Sequence, residues 1–201
     1  AQMDIAFGLR ENEFARTYVS PPQTDLQLFR LILARLGTIQ NAIERGADFS
    51  YRELLCRAVY ERELQKWIAS ELHRQSPAFY RVTRESEVED NKKPDLLILS
   101  EECQGRIPIE IKPTDRAAYD YDYYVDQALQ RQLIEQYMVD RRTRFGILLL
   151  LHTKDRSWKK SGSPDIASFS LLIEELNQVA ERLVEARPNI EKIKVLGIDL
   201  T

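Results

Sequence analysis

The sequence predicts an α/β fold: a central mixed β-sheet flanked by helices, in the order α-β-β-β-α-β-α-β, behind an N-terminal helical extension. Three observations carry that expectation. Apolar residues recur at i, i+3, i+4 spacing in several long segments. Short apolar runs bounded by Pro, Gly and polar turns mark strands. Helical and strand patterns then alternate in the second half of the chain, after an initial group of neighbouring strands.

The elements follow in order. Residues 1–22 read as irregular, ending in Ser20-Pro21-Pro22. Residues 24–45 read as an amphipathic helix with Leu26, Phe29, Ile32, Leu33, Leu36, Ile39 and Ile43 in phase. A break at 46–50 precedes a second helix over 51–74, with Leu54, Leu55, Ala58, Val59, Leu64, Ile68 and Leu72 in one stripe. Strands are expected near 79–87, 94–100 and 106–113, and a helix near 124–140. The continuous apolar run over 144–152 suits a central strand buried on both faces. Ser163-Pro164-Asp165 is expected to start a helix running to about Ala186, and the last strand to span 193–200. The domain boundary falls between residues 48 and 49: residues 1–48 form an extension or linker, and 49–201 form the main domain.

Residues 93–112 carry the chemistry. Pro94 to Ser100 and Arg106 to Pro113 are apolar runs separated by a polar stretch ending in Gly105, which is a hairpin signal. If Ser100 pairs with residue 105, paired positions sum to about 205 and Asp95 lies opposite Glu110. Opposed residues share a face with Cβ atoms roughly 5 Å apart. Alternation then places Glu110 and Lys112 on that face and Ile109 and Ile111 on the other, unless a bulge shifts the register.

Two close carboxylates repel in a low-dielectric site. A hard cation such as Mg²⁺ or Mn²⁺ removes the conflict, since it favours carboxylate, carbonyl and water oxygens. Such an ion lowers the pKa of a bound water and offsets phosphate charge. Lys112 would then position or help deprotonate that water, or bind the phosphate as a point charge. The bland alternative is a surface ion pair on an edge strand. A D/E-x-K triplet is cheap by itself, and Asp90-Asn91-Lys92 is another in a polar turn. The strand setting and the preceding Pro-Asp set the 110–112 copy apart.

Pro94-Asp95 followed by Glu110-Ile111-Lys112 resembles the PD-(D/E)xK nuclease superfamily, with its restriction-endonuclease-like fold. The resemblance covers about residues 50–200 and includes the α-β-β-β-α-β-α-β core. It implies that Asp95 and Glu110 bind metal, that the Ile111 carbonyl is a further ligand, and that Lys112 serves the attacking water. Many members carry a Glu on the helix before the first core strand. Phase selects Glu61, which falls within the apolar stripe at about 100° per residue, whereas Glu63 falls nearly opposite its centre. The alternative pairs Glu61 with Arg57 or Arg62. RecB-like members carry Gln-x-x-x-Tyr on the helix after the lysine strand. Here Gln132 has four residues before Tyr137, and Gln136 adjoins it. Gln132 is the candidate for holding the site or touching nucleic acid, and Tyr137 is expected to pack. The chain is also similar to nuclease domains fused to larger bacterial defence NTPases. The resemblance thus implies a metal-dependent nuclease acting on nucleic acid, DNA ahead of RNA, in a setting of anti-phage defence. The superfamily also includes inactive members used as binding modules, which is the rival reading.

Composition sets limits. At 201 residues, the chain suits one domain with a sizeable core. A net charge of −3 argues against coating nucleic acid through bulk charge. Local charge differs: between Arg141 and Lys160 seven basic residues face one acid, Asp155. Arg142, Lys154, Arg156 and Lys159 are candidate phosphate contacts, and Trp158 either stacks on a base or packs back onto the fold. No apolar run approaches the roughly 20 residues of a membrane span, and no signal peptide is evident, so a cytoplasmic protein without membrane contact is expected. Cys56 and Cys103 lack metal-ligand spacing. His152 is expected to be structural. Glu85, Glu87 and Glu89 would share one strand face, with Glu85 nearest the cleft. Cutting both strands of a duplex leaves room for a homodimer. The chain also reads as a domain of a larger protein.

Overall fold

The computed structural model describes residues 20–45, 55, 61–75, 79–84 and 93–201. It is an α/β fold with a five-stranded mixed sheet in the order β1-β2-β3-β4-β5. The strands are β1 (Arg81–Arg84), β2 (Leu96–Leu99), β3 (Arg106–Pro113), β4 (Phe145–His152) and β5 (Lys192–Asp199). β1, β2 and β3 pair antiparallel, and β3, β4 and β5 pair parallel. Helices α1 (Asp25–Arg45) and α2 (Glu61–Gln75) precede the sheet. One helical turn, Tyr121–Tyr123, leads into a π-helix, Tyr124–Tyr137, here π1, and α3 (Phe169–Glu185) joins β4 to β5.

The topology explains the layers. Strands β3, β4 and β5 follow one another in space as in sequence, so right-handed crossovers place both connecting helices on one face. That face holds Leu148, Leu150, Ile193 and Val195 of the sheet with Leu129 and Leu133 of π1 and Leu172 and Leu176 of α3. The opposite face holds Ile107, Ile109, Ile111, Ile147 and Leu149 under Phe29, Ile32 and Leu36 of α1 and Ile68 and Leu72 of α2. All eight residues of β4 are buried, as its unbroken apolar run requires.

Helix α1 is part of this core. Thr24 caps it, with its Oγ1 accepting from Gln27 N–H at 3.2 Å. The Phe29 ring stacks on Phe145 with centroids 4.9 Å apart. Glu44 Oε1 accepts from Asp199 N–H at 2.9 Å, tying the helix to the end of β5. Residues 25–45 therefore pack with the sheet, and the expected extension over 1–48 is not separate from the domain in this helix. Leu26, expected in the stripe, is exposed, and the buried face runs instead through Leu28, Leu31 and Ile32.

Other expectations need correction. The helix expected from Pro164 starts at Phe169, with the Ser168 side chain accepting from Leu171 N–H as its cap. The cause is a two-residue bridge: Trp158 and Ile166 exchange N–H···O bonds of 3.0 and 2.9 Å, which keeps residues 158–166 in a looped pair. The helix expected over 124–140 is a π-helix, closed by Met138 N–H on the Leu133 carbonyl at 3.1 Å. Its buried doublets Ala128-Leu129 and Leu133-Ile134 repeat at five residues, the interval that i→i+5 bonding aligns. In the hairpin turn it is Gln104 that takes positive φ, 55°, while Gly105 leaves room for Asp25 of α1, whose Oδ1 would lie 2.8 Å from an added Cβ. Leu54, Cys56, Ala58, Val59, Glu85, Glu87 and Glu89 lie outside the described residues.

Candidate functional site

The β2–β3 register agrees with the sequence reading. Leu96 pairs with Ile109 and Leu99 with Arg106, so paired positions sum to 205. Continuing it sets Asp95 opposite Glu110 and Pro94 opposite Ile111. Ser100 N–H donates to the Gly105 carbonyl, which makes the odd-numbered residues of β3 those that face β2 with their backbone groups. Even-numbered Arg106 and the following Thr114 bond to the β4 side instead. Ile111 should therefore exchange hydrogen bonds with residue 94. That residue is proline, which has no N–H to donate. The ladder stops: the Ile111 carbonyl loses its backbone donor there, and the Ile111 N–H donates to Asp95 Oδ2 at 2.7 Å. The Ile111 carbonyl, on the same strand edge, faces this break. The Pro-Asp pair thus ends a strand and places a carboxylate at the opening.

The second oxygen of Asp95 is also held. Gln65 of α2 donates from Nε2 to Asp95 Oδ1 at 2.7 Å. On β3, Glu110 is 1% exposed and Lys112 5% exposed, with Nζ 2.6 Å from Oε1. The edge-strand surface pair is ruled out by that burial, because β3 lies between β2 and β4 and both charges are inside. Tyr137, at the end of π1, lies beside Glu110. Burial above all, then the negative charges of Glu110 and Asp95, hold its phenol well above the ordinary tyrosine range, with Lys112 opposing. Tyr137 both packs, as expected, and touches the site.

Gln132 precedes Tyr137 by five residues. In an α-helix that interval turns the two apart, whereas i→i+5 bonding sets them on one face. The four-residue gap between Gln132 and Tyr137 is therefore matched by the π-helical winding. The Gln132 Oε1 atom is buried with no hydrogen-bond partner among the described residues. Position 61 precedes Gln65 by four residues in α2, an interval that shares a helix face. The Glu61 side chain lies outside the described residues.

The donor set suits a hard cation. Asp95, Glu110 and the Ile111 carbonyl supply oxygen only, and Mg²⁺ is commonly held by one or two carboxylates, completed by waters and substrate phosphate. Among the described residues, no group of three or more His, Cys, Asp or Glu side chains gathers. The set is thus two carboxylates with one lysine.

The basic candidates divide. Trp158 is 0% exposed and packs between π1 and α3, so base stacking is overturned and the packing alternative holds. Arg156 lies over the Trp158 ring and donates from Nη1 to the Thr114 and Arg116 carbonyls at 3.3 and 2.6 Å. Its guanidinium fastens two loops, so it is committed to the fold. Lys154 and Lys159 are exposed on the same loop, beside the C-terminal end of β3 where Lys112 stands. Arg142 sits at the other end of β4, ion-paired with Asp140 at 2.9 Å. Eight strand residues, roughly 25 Å, separate it from that loop. His152 is structural as expected: it is 3% exposed, stacked on Phe169 at 4.5 Å, with Nδ1 3.0 Å from Thr114 Oγ1.

Sequence reasoning missed Gln65. Its signal was a polar side chain beside Leu64 and in phase with Ile68 and Leu72, where an apolar residue belongs. No family model, curated protein or solved structure matches the chain. No helix among the described residues is long and apolar enough to cross a membrane.

Proposed function

We propose that the chain is a metal-dependent nuclease with a restriction-endonuclease-like core, hydrolysing phosphodiester bonds of nucleic acid, DNA ahead of RNA. The observation that supports this reading best is the break in the β2–β3 ladder, where Asp95 meets Ile111 and lies in register with Glu110, two residues from Lys112. Asp95, Glu110 and the Ile111 carbonyl would hold Mg²⁺ or Mn²⁺, with Glu61 as a further carboxylate. Bound there, the cation supplies a water of lowered pKa and offsets charge on the phosphate. Lys112, kept at Glu110 by a 2.6 Å contact, orients the attacking water and carries a proton at Nζ. Tyr137 lies beside Glu110 and walls that side of the site. Gln132, on the same face of π1 as Tyr137, is assigned to holding the site or touching nucleic acid. Lys154 and Lys159 are assigned to the phosphates flanking the cut.

Incubation with plasmid DNA, single-stranded DNA and RNA in Mg²⁺, Mn²⁺ or EDTA tests the reading. Cleavage in the divalent ions and none in EDTA is expected. The rival, a nuclease-like fold used only as a binding module, is favoured by one observation: both oxygens of Asp95 are already engaged, by Gln65 and Ile111. Binding of nucleic acid without metal uptake or cleavage would select it.

A further inference from the structure

We propose that Gln65 is a positioning residue for Asp95, its side-chain amide fixing the carboxylate in the orientation that receives a divalent cation. The inference rests on the metal-dependent reading of the site and adds a residue to it. Helix α2 buries Leu64, Ile68 and Leu72 against the sheet, and Gln65 is buried beside them at 9% exposure. A polar group there is costly unless partnered, and its Nε2 donates to Asp95 Oδ1 at 2.7 Å. From the other side, Ile111 N–H donates to Oδ2, also at 2.7 Å.

The two donors come from different elements, a helix and a strand. Rotation of an aspartate carboxyl about its last torsion is broad and weakly restrained. Donors fixed on both oxygens remove that freedom before any ion arrives. An ionised carboxylate offers about four acceptor positions, so fixed donors and a cation can share one group. The neutral amide matters too. A glutamate at 65 would present acceptors and an added negative charge to Asp95 and Glu110. Outer contacts of this kind orient the ligating group, and their loss typically costs about 10–100-fold in metal affinity.

The test is a calorimetric titration of the full chain with Mn²⁺ alone, beside thermal melting in EDTA and in Mn²⁺, for wild type, Gln65→Met, Gln65→Glu and Asp95→Asn. Wild type is expected to take up Mn²⁺, and Asp95→Asn to lose most of it. Gln65→Met should melt cooperatively in EDTA and bind roughly 10–100-fold more weakly. Gln65→Glu should melt lower than Gln65→Met in EDTA and gain more from Mn²⁺, since the ion relieves the added repulsion. A packing role would not move that metal-dependent gain, and Gln65→Glu carries the test if Gln65→Met fails to fold. Equal Mn²⁺ affinity in wild type and Gln65→Met, or equal gains in the two variants, overturns the positioning role and leaves the metal reading standing. No Mn²⁺ uptake by wild type overturns both.

Discussion

Replacing Lys112 with methionine is expected to destabilise the fold by about 3–5 kcal/mol, because Glu110 is left charged and buried without its partner. The two side chains are 7% and 2% exposed and 2.6 Å apart, so solvent screens them little. For a chain of this size, each kcal/mol shifts Tm by roughly 2–4 °C, which makes the loss roughly 6–20 °C. The paired variant Glu110→Gln, Lys112→Met should recover most of that stability, since neutral replacements of a buried ion pair are often neutral in effect. Thermal melting of the three proteins checks this. A single variant as stable as wild type would mean that the pair is not closed in solution. Mn²⁺ should raise the Tm of Lys112→Met more than that of wild type, because a cation at Glu110 replaces the missing charge. The paired variant should show no comparable gain.

Stability is expected to fall steeply above about pH 10. Burial pushes the phenols of Tyr80, Tyr124 and Tyr137 above the ordinary value of 10.0, and Tyr121 moves the same way. Below pH 10 these groups are protonated in both the folded and the unfolded chain and do not alter the balance. Above it, the unfolded chain releases protons that the folded chain keeps, so stability drops as pH rises toward the folded pKa values. Lys194 works the other way, its pKa lowered by burial and by Lys192, but it is one group against four tyrosines. Melting from pH 8 to 11 should show a plateau and then a decline. Tyr137→Phe should soften the decline, as should Tyr124→Phe. A flat profile to pH 11 would contradict the burial of these phenols.

The parts of the fold that the sequence revealed are those where one local rule acts alone. The β2–β3 register followed from alternation and a short polar turn, and it came out at the expected sum because Gln104 and Gly105 close the turn without a bulge. β4 was legible because no polar residue interrupts it before His152. What escaped depended on contacts made across the chain. Pro164 resembles a first-turn proline, but the Trp158–Ile166 bridge holds the loop and shifts the helix start to Phe169. Trp158 lies among basic residues in sequence and inside the core in space. The π-helix is signalled only by apolar doublets five apart, easily read as an irregular α stripe.

The grouping of the candidate residues was legible to the same degree. Asp95, Glu110 and Lys112 were readable because two neighbouring strands carry them. Gln65 and Tyr137 come from helices whose approach no local pattern announces, and Arg142 was grouped with Lys154 although β4 separates them.

The most direct measurement is nicking of supercoiled plasmid in Mg²⁺ or Mn²⁺ by the wild-type chain beside the folded Glu110→Gln, Lys112→Met variant, each with an EDTA control, and with single-stranded DNA and RNA in parallel. The account predicts cleavage of nucleic acid by wild type, abolished by EDTA and absent from the variant. Cleavage that survives EDTA, equal cleavage by the variant, or no cleavage of any substrate would contradict it.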